Sequence, residues 1–323
     1  MRSKTLFLIF SICMTLALSA SAVVQDSPAE SELPADPVRV EFQAEDGKNL
    51  VGYYYPSRYV NSPVIVFMHW AGGTQRDWCR LAPWLQNRLD EEPADMEGCP
   101  VPPGSDPYWD PSWFPALPEE TSYAVFTFDF RDFGESEAGM GSRNEWTLDA
   151  VAAYKTAAEM EATLSEQALG PASVKVAGLD FVPQMGEDGV IQVVGGGGSI
   201  GADAVVTGCK AVDELVDAAL ICMGAYSWSP GNYLDNSYAD DVKVLKELDP
   251  AVPVYCLAGE QDATSASTCN SAEAHLEVNQ IYAGTGDHGP QLIQPDYDDL
   301  SLFLEFLELT LGGEERSEER RVG

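Results

Sequence analysis

Residues 191–204 read Ile191-Gln192-Val193-Val194-Gly195-Gly196-Gly197-Gly198-Ser199-Ile200-Gly201-Ala202-Asp203-Ala204. The short apolar run predicts a strand over Val190–Val194, and the run Gly195–Ser199 predicts a tight turn. The Ala-rich stretch from Ile200 to about Lys210 predicts a helix. Within the turn, Gly197, Ser199 and Gly201 satisfy G-x-S-x-G, which sets a serine on a sharp strand-to-helix turn with its hydroxyl exposed. Gly196, Gly198 and Gly201 also satisfy G-x-G-x-x-G, the dinucleotide fingerprint. That second reading needs an acid at the end of the next strand to hold the ribose hydroxyls. The next strand ends Cys222-Met223-Gly224-Ala225 and offers none. A serine nucleophile is therefore the favoured reading.

Outward from this elbow, strands alternate with helices. Val38–Phe42 and Leu50–Tyr55 flank Asp46-Gly47 as a hairpin. Val64–His69, Tyr123–Phe130, Ala218–Met223, Val252–Ala258 and Gln280–Ala283 read as further strands. Helical spacing is expected at Arg76–Leu89, Leu148–Leu164, Asp240–Leu248, Ser265–Leu276 and Tyr297–Leu311. Alternation of this kind predicts an α/β protein, a mostly parallel central sheet with helices on both faces. One segment breaks every period. Residues 91–121 hold eight prolines with Trp109 and Trp113, and a long loop of this kind is expected to act as a lid-like insertion.

A serine nucleophile needs a base and an acid to orient that base. The chain has three histidines. His288 lies in Gly284-Thr285-Gly286-Asp287-His288-Gly289, directly after the last expected strand. His275 falls within an expected helix, and His69 ends a strand and is expected to shape the loop after it. Asp262 follows Val252–Ala258 in another loop just past a strand end, with Glu260 and Asp287 as competitors. The order Ser199, Asp262, His288 is the one this motif calls for. After Val64–His69 comes Trp70-Ala71-Gly72-Gly73, whose glycines let backbone N–H groups turn inward. The expected oxyanion donors are the N–H groups of Ile200 and of Ala71 or Trp70. Trp70, Trp109 and Trp113 are the candidate substrate-binding rings.

The two ends are set aside. Residues 1–22 carry Arg2 and Lys4, the apolar run Leu6–Leu18 and Ala20-Ser21-Ala22, the three parts of a cleavable export signal. Residues 23–37 read as an acidic flexible leader, and residues 38–312 as one catalytic domain. The stretch 313–323 reads as a disordered tail. Its last eight residues, Arg316–Gly323, back-translate to a common short-read sequencing adapter and are expected to be an artefact.

Charge and cysteine content narrow the function. The 323 residues carry 52 Asp and Glu against 18 Lys and Arg, a net charge of −34. A surface of that sign repels phosphate backbones and anionic lipid, which argues against nucleic acid as a partner. It suits an exported protein, or one adapted to high salt. Past Cys13, six cysteines remain, and an even count in an exported chain suggests disulfides. Cys79–Cys99 and Cys256–Cys269 are the local pairs. No C-x-x-C, D-x-D-x-D-G or paired-histidine pattern is present, so neither a metal nor another cofactor is expected.

Four stretches resemble the α/β-hydrolase superfamily: His69–Gly73, Phe128–Ser136, Gly197–Gly201, and Asp262 with His288. The resemblance covers about Val38–Leu311. Phe128–Ser136 (FDFRDFGES) is similar to the family's structural D-x-R-G-x-G-x-S turn, with Asp132 and Phe133 where small residues or glycine are common. The outline is also similar to dienelactone-hydrolase-like members, which commonly carry a Cys nucleophile where this chain has Ser199. The resemblance implies an α/β-hydrolase fold and an exported, carboxylesterase-like serine hydrolase acting on a small-molecule ester, without a membrane span once the signal is removed. An exported serine peptidase and a catalytically silent binding protein are the alternatives.

Overall fold

The computed structural model describes residues 35–59, 62–91, 111–139, 141, 145–169, 193–212, 219–227, 238–249, 251–294 and 299–311. The expected signal, most of the leader, residues 92–110 of the expected insertion with Trp109, and the 313–323 tail lie outside the described residues.

Eight strands form one sheet: β1 (Val38–Gln43), β2 (Asn49–Tyr55), β3 (Val64–Met68), β4 (Ala124–Asp129), β5 (Val193–Gly198), β6 (Leu220–Met223), β7 (Val254–Gly259) and β8 (Val278–Tyr282). Their order is β1-β2-β4-β3-β5-β6-β7-β8. The β1–β2 hairpin and the β2–β4 pair are antiparallel, and every other pair is parallel. The helices are α1 (Ala82–Leu85), α2 (Glu145–Leu169), α3 (Ile200–Ala211), α4 (Tyr238–Lys246), α5 (Ala263–Ala272) and α6 (Asp299–Leu311).

Period-two alternation along buried strands divides the core between the two faces. Val64, Val66 and Met68 join Ala153, Tyr154, Val205, Leu245 and Cys269, under α2 to α5. Ile65 and Phe67 join Trp84, Leu85, Phe303 and Phe306, under α1 and α6. The mostly parallel sheet is thus covered on both sides, as expected from the alternation of strands and helices.

Two expectations are corrected. The glycines expected to form a turn belong to the strand, because β5 runs on to Gly198. They are small because neighbouring side chains fill the space beside them. A side chain at Gly195 would meet the Tyr154 hydroxyl, and a Cβ at Gly196 would lie 2.5 Å from the Phe67 ring. The helix expected over Arg76–Leu89 is instead a 3-10 turn at Gln75–Trp78 followed by the single α turn of α1. Pro83 has no N–H for the carbonyl of Cys79, so an unbroken ladder cannot pass it. Asn87, at φ 54°, then turns the chain away.

The Phe128–Ser136 turn is a structural clasp. Asp129 accepts from the N–H of Gln75 at 2.8 Å and of Glu135 at 2.9 Å, so it ties the loop after β3 to the end of β4. Arg131, fully buried, meets Asp46, Glu145 and Asp149. Asp132 sits at φ 68°, a left-handed conformation that explains the smaller residues common there. Its carboxylate accepts from Gly139 N–H at 2.6 Å, which helps hold that backbone.

Cys256 of β7 and Cys269 of α5 form a disulfide across 13 residues, enclosing Asp262. Cys79 is also disulfide-bonded, and its expected partner Cys99 lies outside the described residues. Cys209 and Cys222 are buried thiols that form no disulfide among the described residues.

Candidate active site

Strands β3 and β4 lie to one side of β5, and β6, β7 and β8 to the other. The chain therefore reverses direction across the sheet between β3 and β5. In an open α/β sheet, the crevice at the carboxyl ends of such strands is the place for ligands. The loop His69–Gly73 leaves β3 there, and Ser199 leaves β5.

Ser199 adopts φ 53° and ψ −115°, a strained conformation for any residue with a Cβ. Its N–H donates to Met223 O at 2.9 Å, and its carbonyl accepts from Ala202 and Asp203 to start α3. The backbone at Gly201 presses on the end of β3. A Cβ there would lie 2.8 Å from His69 O. This contact sets the first turn of α3 against the end of β3, where the His69–Gly73 loop begins. N–H groups in a helix's first turn have no partner within the helix, so they are free to bind an anion.

His288 follows β8. Its Nδ1 lies 2.6 Å from Asp262 Oδ2. An ionised carboxylate only accepts, so Nδ1 carries the hydrogen and Nε2 is left as the basic nitrogen. Asp262 is fixed in turn. It caps α5 by accepting from Ser265 N–H, and Ser265 Oγ donates to the same Oδ2 at 2.6 Å. Of the three acids considered, Asp262 is the one at the imidazole. Glu260 instead accepts from Gly284 N–H at 2.8 Å and braces that loop.

Two close backbone approaches set the His288 segment against the end of β5 and the residue after β6. A Cβ at Gly198 would lie 2.9 Å from Pro290 and 3.2 Å from Gly289. At Gly224, directly after β6 and at φ 72°, a Cβ would lie 2.6 Å from His288 Nδ1. The serine hydroxyl makes no hydrogen bond among the described residues. Such contacts commonly tighten only when substrate is bound.

The other histidines are placed elsewhere. His69 is fully buried, its Nδ1 donating to Trp70 O at 2.7 Å and its Nε2 accepting from Phe130 N–H at 3.1 Å. Burial pushes its pKa down. With both nitrogens engaged, it shapes the loop. His275 lies in a 3-10 turn after α5. Among the candidate rings, Trp70 stands 6.3 Å from the His288 ring centroid to centroid, and Trp109 lies outside the described residues. Trp113 packs on the apolar layer of Trp84, Phe114 and Phe303.

Three residues around the site escaped the sequence reading. Asp203, one turn into α3, accepts from Tyr226 N–H and Ser227 N–H, both at 3.0 Å. Tyr226 lies against His288, with ring centroids 4.6 Å apart and planes tilted by 30°. The signal available for Asp203 was an acid inside an otherwise apolar helix, and for Tyr226 an aromatic just past a strand end. Asp77 sits beside the His69–Gly73 loop, 93% buried, with its Oδ2 pressed toward Gly73. That oxygen has no hydrogen-bond partner among the described residues.

Burial pushes the Asp77 carboxyl up to about 7. The folded protein therefore keeps a proton that the unfolded chain, at its ordinary value of 3.8, has already released. Stability contributed this way is full below the lower value and lost as pH rises toward 7. Asp77→Asn should remove that dependence. Between pH 5 and pH 8 the wild type is expected to lose on the order of 2–3 kcal/mol more stability than the variant in urea unfolding. Parallel losses in the two proteins would refute the assignment.

The fold and the site can now be set beside known proteins. The structure is similar to an esterase from Pyrococcus furiosus, with a TM-score of 0.51 and 13% identity over 88% of this chain and 98% of that one. The chain has the α/β-hydrolase fold. Similar to it also are an α/β hydrolase from a Penicillium species, with a TM-score of 0.49 and 11% identity over 86% and 99% of the two chains, and a dienelactone hydrolase from Anabaena variabilis, with a TM-score of 0.47 and 13% identity over 85% and 97%. No protein-family model matches the chain, and no curated protein is similar to it. In this hydrolase fold, Ser199, Asp262 and His288 leave the carboxyl ends of β5, β7 and β8, which gathers a hydroxyl, a carboxylate and an imidazole at one end of the sheet.

Proposed function

We propose that this α/β-hydrolase-fold protein is an exported serine hydrolase that cleaves carboxylic esters through an acyl-enzyme. The observation that carries the reading is the orientation of His288. Its Nδ1 is held by Asp262 at 2.6 Å, and Ser199 sits on a strained elbow at the end of a neighbouring strand. Structural neighbours named as esterases and hydrolases support the same reaction class.

In this mechanism Ser199 Oγ attacks the acyl carbonyl carbon while His288 Nε2 takes its proton. Asp262 stabilises the imidazolium that results. The N–H groups of Ile200 and of Ala71 or Trp70 stabilise the oxyanion. The tetrahedral intermediate collapses, the alcohol leaves with the proton from His288, and the acyl group stays on Ser199. Water then attacks the acyl carbon, giving its proton to His288. Collapse releases the carboxylic acid and returns the proton to Ser199. Trp70 walls the site beside His288 and favours small or hydrophobic esters.

Export is supported by the Cys256–Cys269 disulfide, which suits an oxidising compartment. No described helix is long and apolar enough to cross a membrane. A fluorophosphonate probe tests the function directly. The folded wild type should take one label, on Ser199, and failure to label would leave a silent hydrolase fold as the better reading.

A further inference from the structure

The Tyr226 loop connects three elements of the candidate site. Asp203 lies one helical turn beyond the nucleophile, 97% buried, and its two carboxylate oxygens hold the N–H groups of Tyr226 and Ser227. Ser227 is at φ 47°, and its Oγ accepts from Tyr238 N–H at 3.0 Å, which anchors the loop to the start of α4. The Tyr226 ring is thereby fixed over the His288 imidazole, 4.6 Å away between centroids. Burial, and after it the neighbouring Asp262 carboxylate, push the pKa of its hydroxyl up.

We propose that Tyr226 is a further positioning residue of the hydrolytic centre, held by Asp203 and acting on the charge that forms at His288. This rests on the serine-hydrolase reading above. When His288 takes the serine proton it becomes a cation lying against an aromatic face. A cation within about 6 Å of a ring centroid is attracted by the ring's quadrupole, and more strongly where water is displaced. The tyrosine hydroxyl lies within the electrostatic reach of Asp262, whose hydrogen bonds come from Ser265 and His288. The attraction to the ring exists only while His288 is charged, so it acts on turnover and not on the binding of a neutral ester.

The test compares Tyr226→Phe, Tyr226→Leu and Asp203→Asn with wild type on p-nitrophenyl acetate, with Tm recorded for each protein. Tyr226→Leu removes ring and hydroxyl together. It is expected to lower kcat about tenfold while KM changes less than threefold. Tyr226→Phe keeps the ring and should restore at least half of the lost activity on a logarithmic scale. Asp203→Asn turns one backbone acceptor into a donor, which misplaces the loop, and should lower kcat in the same direction as Tyr226→Leu. An active wild type whose Leu variant keeps its kcat would overturn this proposal alone. So would a loss confined to KM, which would make Tyr226 a wall of the substrate site. An inactive, unlabelled wild type would overturn the hydrolase reading, and this proposal with it.

Discussion

Ser199→Ala is expected to lower kcat/KM on an activated short-chain ester by about 10⁴-fold or more, with secondary structure and Tm unchanged. Both halves of the expectation come from the local structure. The hydroxyl makes no hydrogen bond among the described residues, so removing it leaves no buried partner unsatisfied. Alanine keeps the Cβ and so inherits the same backbone conformation at φ 53°, and the elbow is neither relaxed nor strained further. What is lost is the atom that forms the acyl-enzyme. The measurement is initial rates on p-nitrophenyl acetate beside circular dichroism of both proteins. Turnover at the wild-type rate in the variant would remove Ser199 from the mechanism.

Asp262→Asn should approach the same loss, about 10⁴-fold in kcat, again with little change in stability. Asparagine is as good a helix N-cap as aspartate, so it can still accept from Ser265 N–H and hold the start of α5. At Oδ2 the situation differs. That oxygen takes both Ser265 Oγ, at 2.6 Å, and His288 Nδ1, also at 2.6 Å. An amide presenting its NH₂ there would donate to Nδ1 and force the hydrogen onto Nε2, the nitrogen that must receive the serine proton. The structure also makes the alternative measurable, because Glu260 is engaged at Gly284. If Glu260→Gln lost activity while Asp262→Asn kept it, the acid would have been misassigned.

Much of this site was legible in the sequence because its members follow strands in chain order. Ser199, Asp262 and His288 each stand in a loop or elbow after an apolar run, and a mostly parallel sheet brings such places to one edge. The paired Cys256 and Cys269 were legible for a similar local reason. What was not legible depends on contacts between distant segments. The glycines of β5 look like a turn until Phe67 and Tyr154 are seen filling the space beside them. Asp203 and Tyr226 are 23 residues apart, and nothing in either stretch announces that one holds the other. Trp113 was grouped with Trp70 on aromatic content alone, whereas it packs on the layer of Trp84 and Phe303. The break in the helix after Trp78 was available from Pro83 and was outweighed by the apolar spacing of Leu81, Trp84, Leu85 and Leu89.

The conformation of Ser199 has an evolutionary consequence. A residue with a Cβ held at a positive φ of this kind gives up about 1–3 kcal/mol of stability, and glycine would recover most of it. In a lineage with no further need for the reaction, drift toward a sturdier fold would favour replacement at this position early, since the gain comes from a single substitution in a chain already rich in glycine. A serine that stays there works against the thermal robustness of its own molecule. Position 199 therefore serves as a gauge: among descendants of this chain, the residue found at the elbow would report whether selection still acts on chemistry or only on folding.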